Sequence, residues 1–147
     1  MIALKQYKYE LLNTLQKNAV VKKFYLFGSV LTSDFDEKNS DIDVLIETTD
    51  LSPEKKGELL ISLWESLEKL FNRKVDLLTE NSLRNPYLTR EIEQTRKLIY
   101  DGQSGQLFIW YSVCYIFNRI LYPAEADILS VLRFIQKDLK SDNNFIS

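Results

Sequence analysis

The sequence predicts an α/β fold, a small β-sheet packed by helices. Runs of strand length at residues 20–27, 41–47 and 74–79 alternate with longer stretches whose apolar residues recur every three or four positions. Two of those longer stretches open on Ser52-Pro53 and Asn85-Pro86, a capping residue followed by proline at the first helical position. The first strand run stops at Gly28-Ser29, as a buried strand does at a turn.

Taken in order, residues 3–18 read as an amphipathic helix carrying Leu4, Tyr7, Leu11, Leu12 and Leu15 on one side. Residues 20–27 are the first strand, residues 30–33 a helical turn, and residues 34–40 a polar loop. In the second strand, residues 41–47, Ile42, Val44 and Ile46 share one face while Asp41 and Asp43 share the other. A helix over 53–71 follows, with Leu59, Leu60, Leu63, Leu67 and Leu70 as its stripe and Trp64 beside it. Asn72-Arg73 is a turn, and residues 74–79 form a third strand with Val75 and Leu77 opposite Asp76. A last helix is expected from Pro86 to about Tyr100, on Leu88, Ile92 and Ile99, closing at Asp101-Gly102. The sheet then has at least three strands, the third returning parallel to the second across the 53–71 helix.

Residues 1–102 make one expected domain and residues 103–147 a helical C-terminal extension. Residues 107–121 are aromatic and apolar, and residues 123–140 have helical spacing. A run such as LFIWYSVCYIF must be covered, by the sheet or by a second chain, so a homo-oligomer through this extension is one expectation.

Composition removes whole chemistries. With no histidine, Ser-His-Asp triads, imidazole bases and His-ligated metals are excluded. The single cysteine, Cys114, allows no intrachain disulfide and reads as a buried small hydrophobe. A net charge of -2 argues against a general nucleic-acid binder, which needs a basic excess. No apolar run reaches the ~18 residues of a membrane span. The N-terminus shows no secretory signal, so the expected location is the cytoplasm.

The remaining chemistry gathers around residues 24–47. Asp41 and Asp43, side by side at ~5 Å, would repel by roughly 3 kcal/mol at an effective dielectric near 20. A cation between them relieves that cost, and magnesium, which prefers oxygen ligands and bridges to nucleotide phosphates, is the natural candidate. Gly28 lets the backbone approach an anion, and Ser29 adds a hydroxyl at a turn that offers free N–H groups. Asp76, in KVDLL, brings a third carboxylate from another strand.

FGSV, then SDIDVLI, then KVDLL resembles the minimal nucleotidyltransferase (MNT) domain of the DNA polymerase beta-like superfamily over residues 5–102. The resemblance implies a mixed-sheet α/β nucleotidyltransferase fold and transfer of a nucleoside monophosphate from a nucleoside triphosphate. Gly28 and Ser29 would take the phosphates. Asp41 and Asp43 would hold magnesium, and Asp76 would complete the metal site and help deprotonate the acceptor hydroxyl. Similar MNT proteins are antitoxins that use ATP to adenylylate a tyrosine of a HEPT-type partner toxin. This chain departs from the family pattern after Gly28-Ser29, where Val30-Leu31-Thr32-Ser33 replaces a common Ala-Arg-Gly. The loop before Asp41 is about one residue longer than the common form. Lys38 and Arg73 are the basic residues that could replace the missing charge. Two other readings stay open: transfer to a small molecule such as an aminoglycoside, and a non-catalytic antitoxin that works by occluding its partner.

Overall fold

The computed structural model describes residues 4–36, 38–108 and Ile120. Its elements in chain order are α1 (Leu4–Lys17), β1 (Val21–Phe27), a one-turn 3-10 helix (Gly28–Leu31), β2 (Ile42–Thr48), α2 (Pro53–Phe71), β3 (Val75–Thr79), a second 3-10 turn (Glu80–Ser82), α3 (Pro86–Thr95), β4 (Lys97–Asp101) and β5 (Gln106–Leu107). The expected helix at 123–140, the aromatic run beyond Phe108 and Cys114 lie outside the described residues.

Among the described residues the sheet has five strands in the order β3-β2-β1-β4-β5. β2 and β3 run parallel, and β1 pairs antiparallel with both β2 and β4. The sheet is therefore mixed. The parallel pair is joined by α2, since two parallel neighbours cannot be linked by a tight turn.

Strand alternation divides the side chains between two faces. Phe24 and Leu26 of β1, and Ile42, Val44 and Ile46 of β2, are all fully buried in the main core with Leu11 and Leu15 of α1 and Leu63 and Leu67 of α2. The opposite face carries a smaller cluster of Tyr25, Phe27 and Leu45, closed by Ile92 of α3. Asp43 alternates onto this second face, between Ile42 and Val44 of the core.

The sequence signals for α2 act as expected. Ser52 Oγ accepts from the Lys55 amide at 3.4 Å, and Pro53 opens the helix. Asn72 ends it in the left-handed region at φ 48°, a conformation asparagine tolerates better than most residues. Trp64, partly exposed, donates its indole N–H to the Val75 carbonyl at 2.9 Å and so ties α2 to the start of β3.

One expectation is corrected. The final helix does not run to Tyr100. It stops at Thr95, and Lys97–Asp101 is a strand paired with β1. The spacing of Leu88, Ile92 and Ile99 looks like one helical stripe, but the residues divide. Leu88 is 45% exposed, Ile92 packs on the α3 face, and Ile99 is buried in the main core on the other side of the sheet. β4 turns at Gly102–Gly105 into β5, which pairs Tyr100 with Leu107, so the sheet continues past residue 102.

Candidate active site

β1, β2 and β3 deliver the candidate residues to one end of the sheet. β1 finishes at Phe27, and the chain turns at Gly28 with φ +76°, a left-handed conformation that glycine adopts without strain. Phe27 stands opposite Asp43 across the β1–β2 ladder, and Asp43 stands opposite Asp76 across the β2–β3 ladder. Neighbouring strands lie about 4.8 Å apart, so the Asp43 and Asp76 side chains leave the sheet side by side. Both belong to the face away from the main core, because Ile42, Val44 and Val75 on either side of them point into it.

Gly28 lies directly against Asp43. A Cβ built on it would overlap Asp43 Oδ2 and come within 3.1 Å of Asp43 Cγ. The turn thus presses the backbone onto a carboxylate with no room for a side chain. Ser29 follows in the 3-10 turn. Its carbonyl accepts from the Thr32 amide at 2.9 Å and from Thr32 Oγ1 at 3.0 Å, so these bonds leave its hydroxyl outside the turn's own ladder. The first amides of such a turn have no partner within it and suit an anion.

The three carboxylates differ in setting. Burial, then the charges of Asp76 and Asp41, push the Asp43 carboxyl up to about 6. Asp76 is exposed at the edge strand. Asp41 sits just before β2, and its Oδ2 lies 3.8 Å from Lys74 Nζ. Lys74 was not singled out by sequence reasoning; the signal was its place immediately before the strand that carries Asp76. Of the two proposed substitute charges, Lys38 is exposed in the loop before Asp41. Arg73 has its guanidinium on that loop's carbonyls, Ser40 O at 2.9 Å and Asp36 O at 3.2 Å.

Among the described residues, no three Asp, Glu, His or Cys groups converge tightly enough to enclose a metal ion by themselves. Asp43 and Asp76 are adjacent, whereas Asp41 leans toward Lys74. This open arrangement fits magnesium, which is commonly held by one or two carboxylates together with substrate phosphates and water. The structural sign of fit is the register of Asp43 with Asp76 on neighbouring strands, two carboxylates side by side with Asp43 half-buried against the Gly28 turn, which create a local demand for positive charge.

A cleft of about 600 Å³ opens at the other end of β1 and β2, lined by Lys22, Thr48, Asp50, Lys56 and Glu80 among others. Its Glu80 carboxylate is already committed to Thr48, accepting from Oγ1 at 2.6 Å and from the amide at 3.0 Å. The candidate residues Gly28, Ser29, Asp41, Asp43 and Asp76 lie at the opposite end of these strands.

The elevated Asp43 pKa has a consequence for stability. Between the ordinary carboxylate value near about 4 and its folded value, the folded chain holds this proton more tightly than the unfolded one. Its contribution is full below pH ~4 and is lost as pH rises through about 6. Solvent reaches part of the group and screens the repulsion, so Asp43→Asn should stabilise the metal-free protein at pH 7.5 by about 1 kcal/mol, or roughly 3 °C in Tm. The gain should shrink as the pH is lowered toward 4.5, which melting curves in EDTA would show.

At this end of the sheet a glycine turn lies against the half-buried Asp43 carboxylate, with a second carboxylate, Asp76, on the adjoining strand. The chain belongs to the polymerase beta nucleotidyltransferase family, whose model matches residues 9–104. A relative from Methanocaldococcus jannaschii, named as a candidate protein adenylyltransferase, is 41% identical over 80 residues, 54% of this chain and 76% of the relative. Among solved structures, one described as a toxin-antitoxin with AMP-PNP has a TM-score of 0.48 and 18% identity, covering 95% of this chain and 97% of that one. Another, a tri-AMPylated Shewanella oneidensis HEPN toxin in complex with an MNT antitoxin, has a TM-score of 0.42 and 17% identity, covering 97% of each chain. Among the described residues, no helix is long and apolar enough to cross a membrane.

Proposed function

We propose that this chain is a magnesium-dependent adenylyltransferase that moves AMP from ATP to a protein hydroxyl, the tyrosine of a HEPT-type partner, and thereby acts as an antitoxin in the cytoplasm. The observation that carries the reading is the Gly28 turn seated on Asp43 with Asp76 in register beside it. Family membership supplies the reaction class, and the relatives' naming as protein adenylyltransferases favours a protein acceptor. In this reading residues 1–102 carry the catalytic residues, and residues 103–147, whose first part supplies β5 to the same sheet, are the C-terminal extension.

In the reaction, the acceptor oxygen forms a bond to the α-phosphorus. The bond from that phosphorus to the oxygen bridging to the β-phosphate breaks, and pyrophosphate leaves. The turn amides of Gly28-Ser29 and the Ser29 hydroxyl hold phosphate oxygens. Asp41, Asp43 and Asp76 would hold the magnesium, which when bound neutralises charge on the reacting phosphate oxygens. Asp76, exposed at the sheet edge, is the carboxylate an incoming acceptor meets first, and it takes the hydroxyl proton.

The test is label transfer from α-labelled ATP with magnesium to the protein encoded beside this one. Label on a tyrosine of that protein, and none on an aminoglycoside offered in parallel, is the expected result. Asp41→Ala should abolish the label. An unlabelled neighbour protein with wild-type enzyme would overturn the reading.

A further inference from the structure

The loop between the 3-10 turn and β2 folds largely on itself. Asp36 Oδ1 accepts from the Lys38 amide at 2.8 Å and the Asn39 amide at 3.3 Å, and its Oδ2 accepts from Asn39 Nδ2 at 3.0 Å. The Asp36 amide donates to Ser40 Oγ at 2.9 Å, and the Ser40 amide returns to Asp36 O at 3.0 Å. These bonds tie Asp36 to Lys38, Asn39 and Ser40, yet they do not set the loop's orientation relative to the sheet.

Arg73 anchors the loop. Nη1 donates to Ser40 O at 2.9 Å and to Asp36 O at 3.2 Å. The guanidinium carbon stands 5.0 Å from the centroid of the Phe35 ring, and Phe35 is itself buried in the main core. Stacking on an aromatic face while donating from a planar fork is what arginine does and lysine does not. Ser40 O belongs to the peptide unit that carries the Asp41 amide, so fixing that oxygen fixes the plane from which Asp41 departs. The next amide, Ile42 N, is bonded to Lys74 O at 3.0 Å.

Arg73 also lies in the short turn between α2 and β3, where the Arg73 amide donates to Glu68 O at 3.3 Å. Asp76 follows a few residues later on β3. A single side chain therefore ties the segment that presents Asp76 to the loop that presents Asp41.

We infer that Arg73 is a positioning residue for the carboxylate site, bracing the Asp36–Ser40 loop so that Asp41 is held at a set distance from Asp76. The inference rests on the proposed cation-holding role of Asp41, Asp43 and Asp76. Groups that orient such ligands commonly change metal affinity by about 10- to 100-fold when removed.

The experiment measures Mn2+ binding by electron paramagnetic resonance in the presence of a non-hydrolysable ATP analogue, for wild type, Arg73→Ala and Arg73→Lys. Arg73→Ala should bind Mn2+ roughly tenfold more weakly, and Arg73→Lys should recover only part, since an ammonium cannot reproduce the stacked fork. Hydrogen exchange should rise selectively over residues 38–42 in Arg73→Ala. Equal Mn2+ affinity in wild type and Arg73→Ala, or an exchange increase spread evenly over the chain, overturns the brace. Should Arg73→Ala fail to fold, Arg73→Lys decides: wild-type affinity overturns the brace, and a several-fold loss supports it. Wild type that binds no Mn2+ refutes the metal-site reading and the brace with it, whereas tight wild-type binding unaffected by Arg73→Ala refutes the brace alone.

Discussion

Asp43→Asn should lower AMP transfer by at least about a thousandfold, equivalent to about 4 kcal/mol of lost transition-state stabilisation. Asp43 is the carboxylate with both neighbours. It faces the Gly28 turn on one side and Asp76 on the other, so of the three proposed carboxylates it is the one that adjoins both the proposed phosphate-binding turn and the strand that carries Asp76. The amide of asparagine keeps the shape but removes the charge that the cation needs. The same substitution removes the repulsion that raises the Asp43 pKa, so the inactive variant should melt higher than wild type at neutral pH without metal. Loss of activity with a gain in stability separates a functional carboxylate from a structural one. Equal loss of both would mean that Asp43 holds the fold together instead.

Gly28→Ala should cut activity at least about a hundredfold through geometry alone. Two costs coincide at this residue. The backbone sits at φ +76°, where an L-residue loses roughly 1–2 kcal/mol. The new methyl would also occupy the position of Asp43 Oδ2, so the carboxylate must swing away or the turn must lift. Either movement separates the amides of the Gly28 turn, proposed to hold phosphate, from the strand that carries Asp43. Gly57, by contrast, has open space around its would-be Cβ and an ordinary helical place in α2. Gly57→Ala should be neutral or slightly stabilising, because alanine favours the helix by up to ~1 kcal/mol. Parallel melting and transfer assays on the two variants would show whether the Gly28 effect is specific to the site.

Local chemistry made much of this fold legible. Ser52-Pro53 and Asn72 mark both ends of α2, and the alternation of Ile42, Val44 and Ile46 against Asp43 told which face was buried. The same alternation, with the apolar neighbours of Asp76, put the two carboxylates on equivalent strand positions. Their register, Asp43 opposite Asp76, depends on how β3 returns beside β2, which only the long-range pairing sets.

β4 was hidden for a related reason. Leu88, Ile92, Thr95 and Ile99 keep a helical interval, and nothing local shows that Ile99 belongs to the other side of the sheet. The decisive fact is the open edge of β1, which takes Lys97–Asp101 as its second neighbour. Local preference gave way there to unpaired backbone groups that needed a ladder. The pressure of Gly28 on Asp43 was likewise out of reach, since a Gly-Ser pair signals a turn without saying what the turn approaches. Arg73 read as a spare charge for the triphosphate because its sequence position gives no hint of the loop carbonyls it binds.

In the proposed site a divalent cation answers the crowding of charge at Asp43. Its carboxyl carbon, followed by NMR as pH is changed, tests this most directly. Without metal the group should titrate near 6, and with magnesium and a non-hydrolysable ATP analogue its midpoint should fall below about 4. A midpoint that stays near 6 with both present would contradict the account.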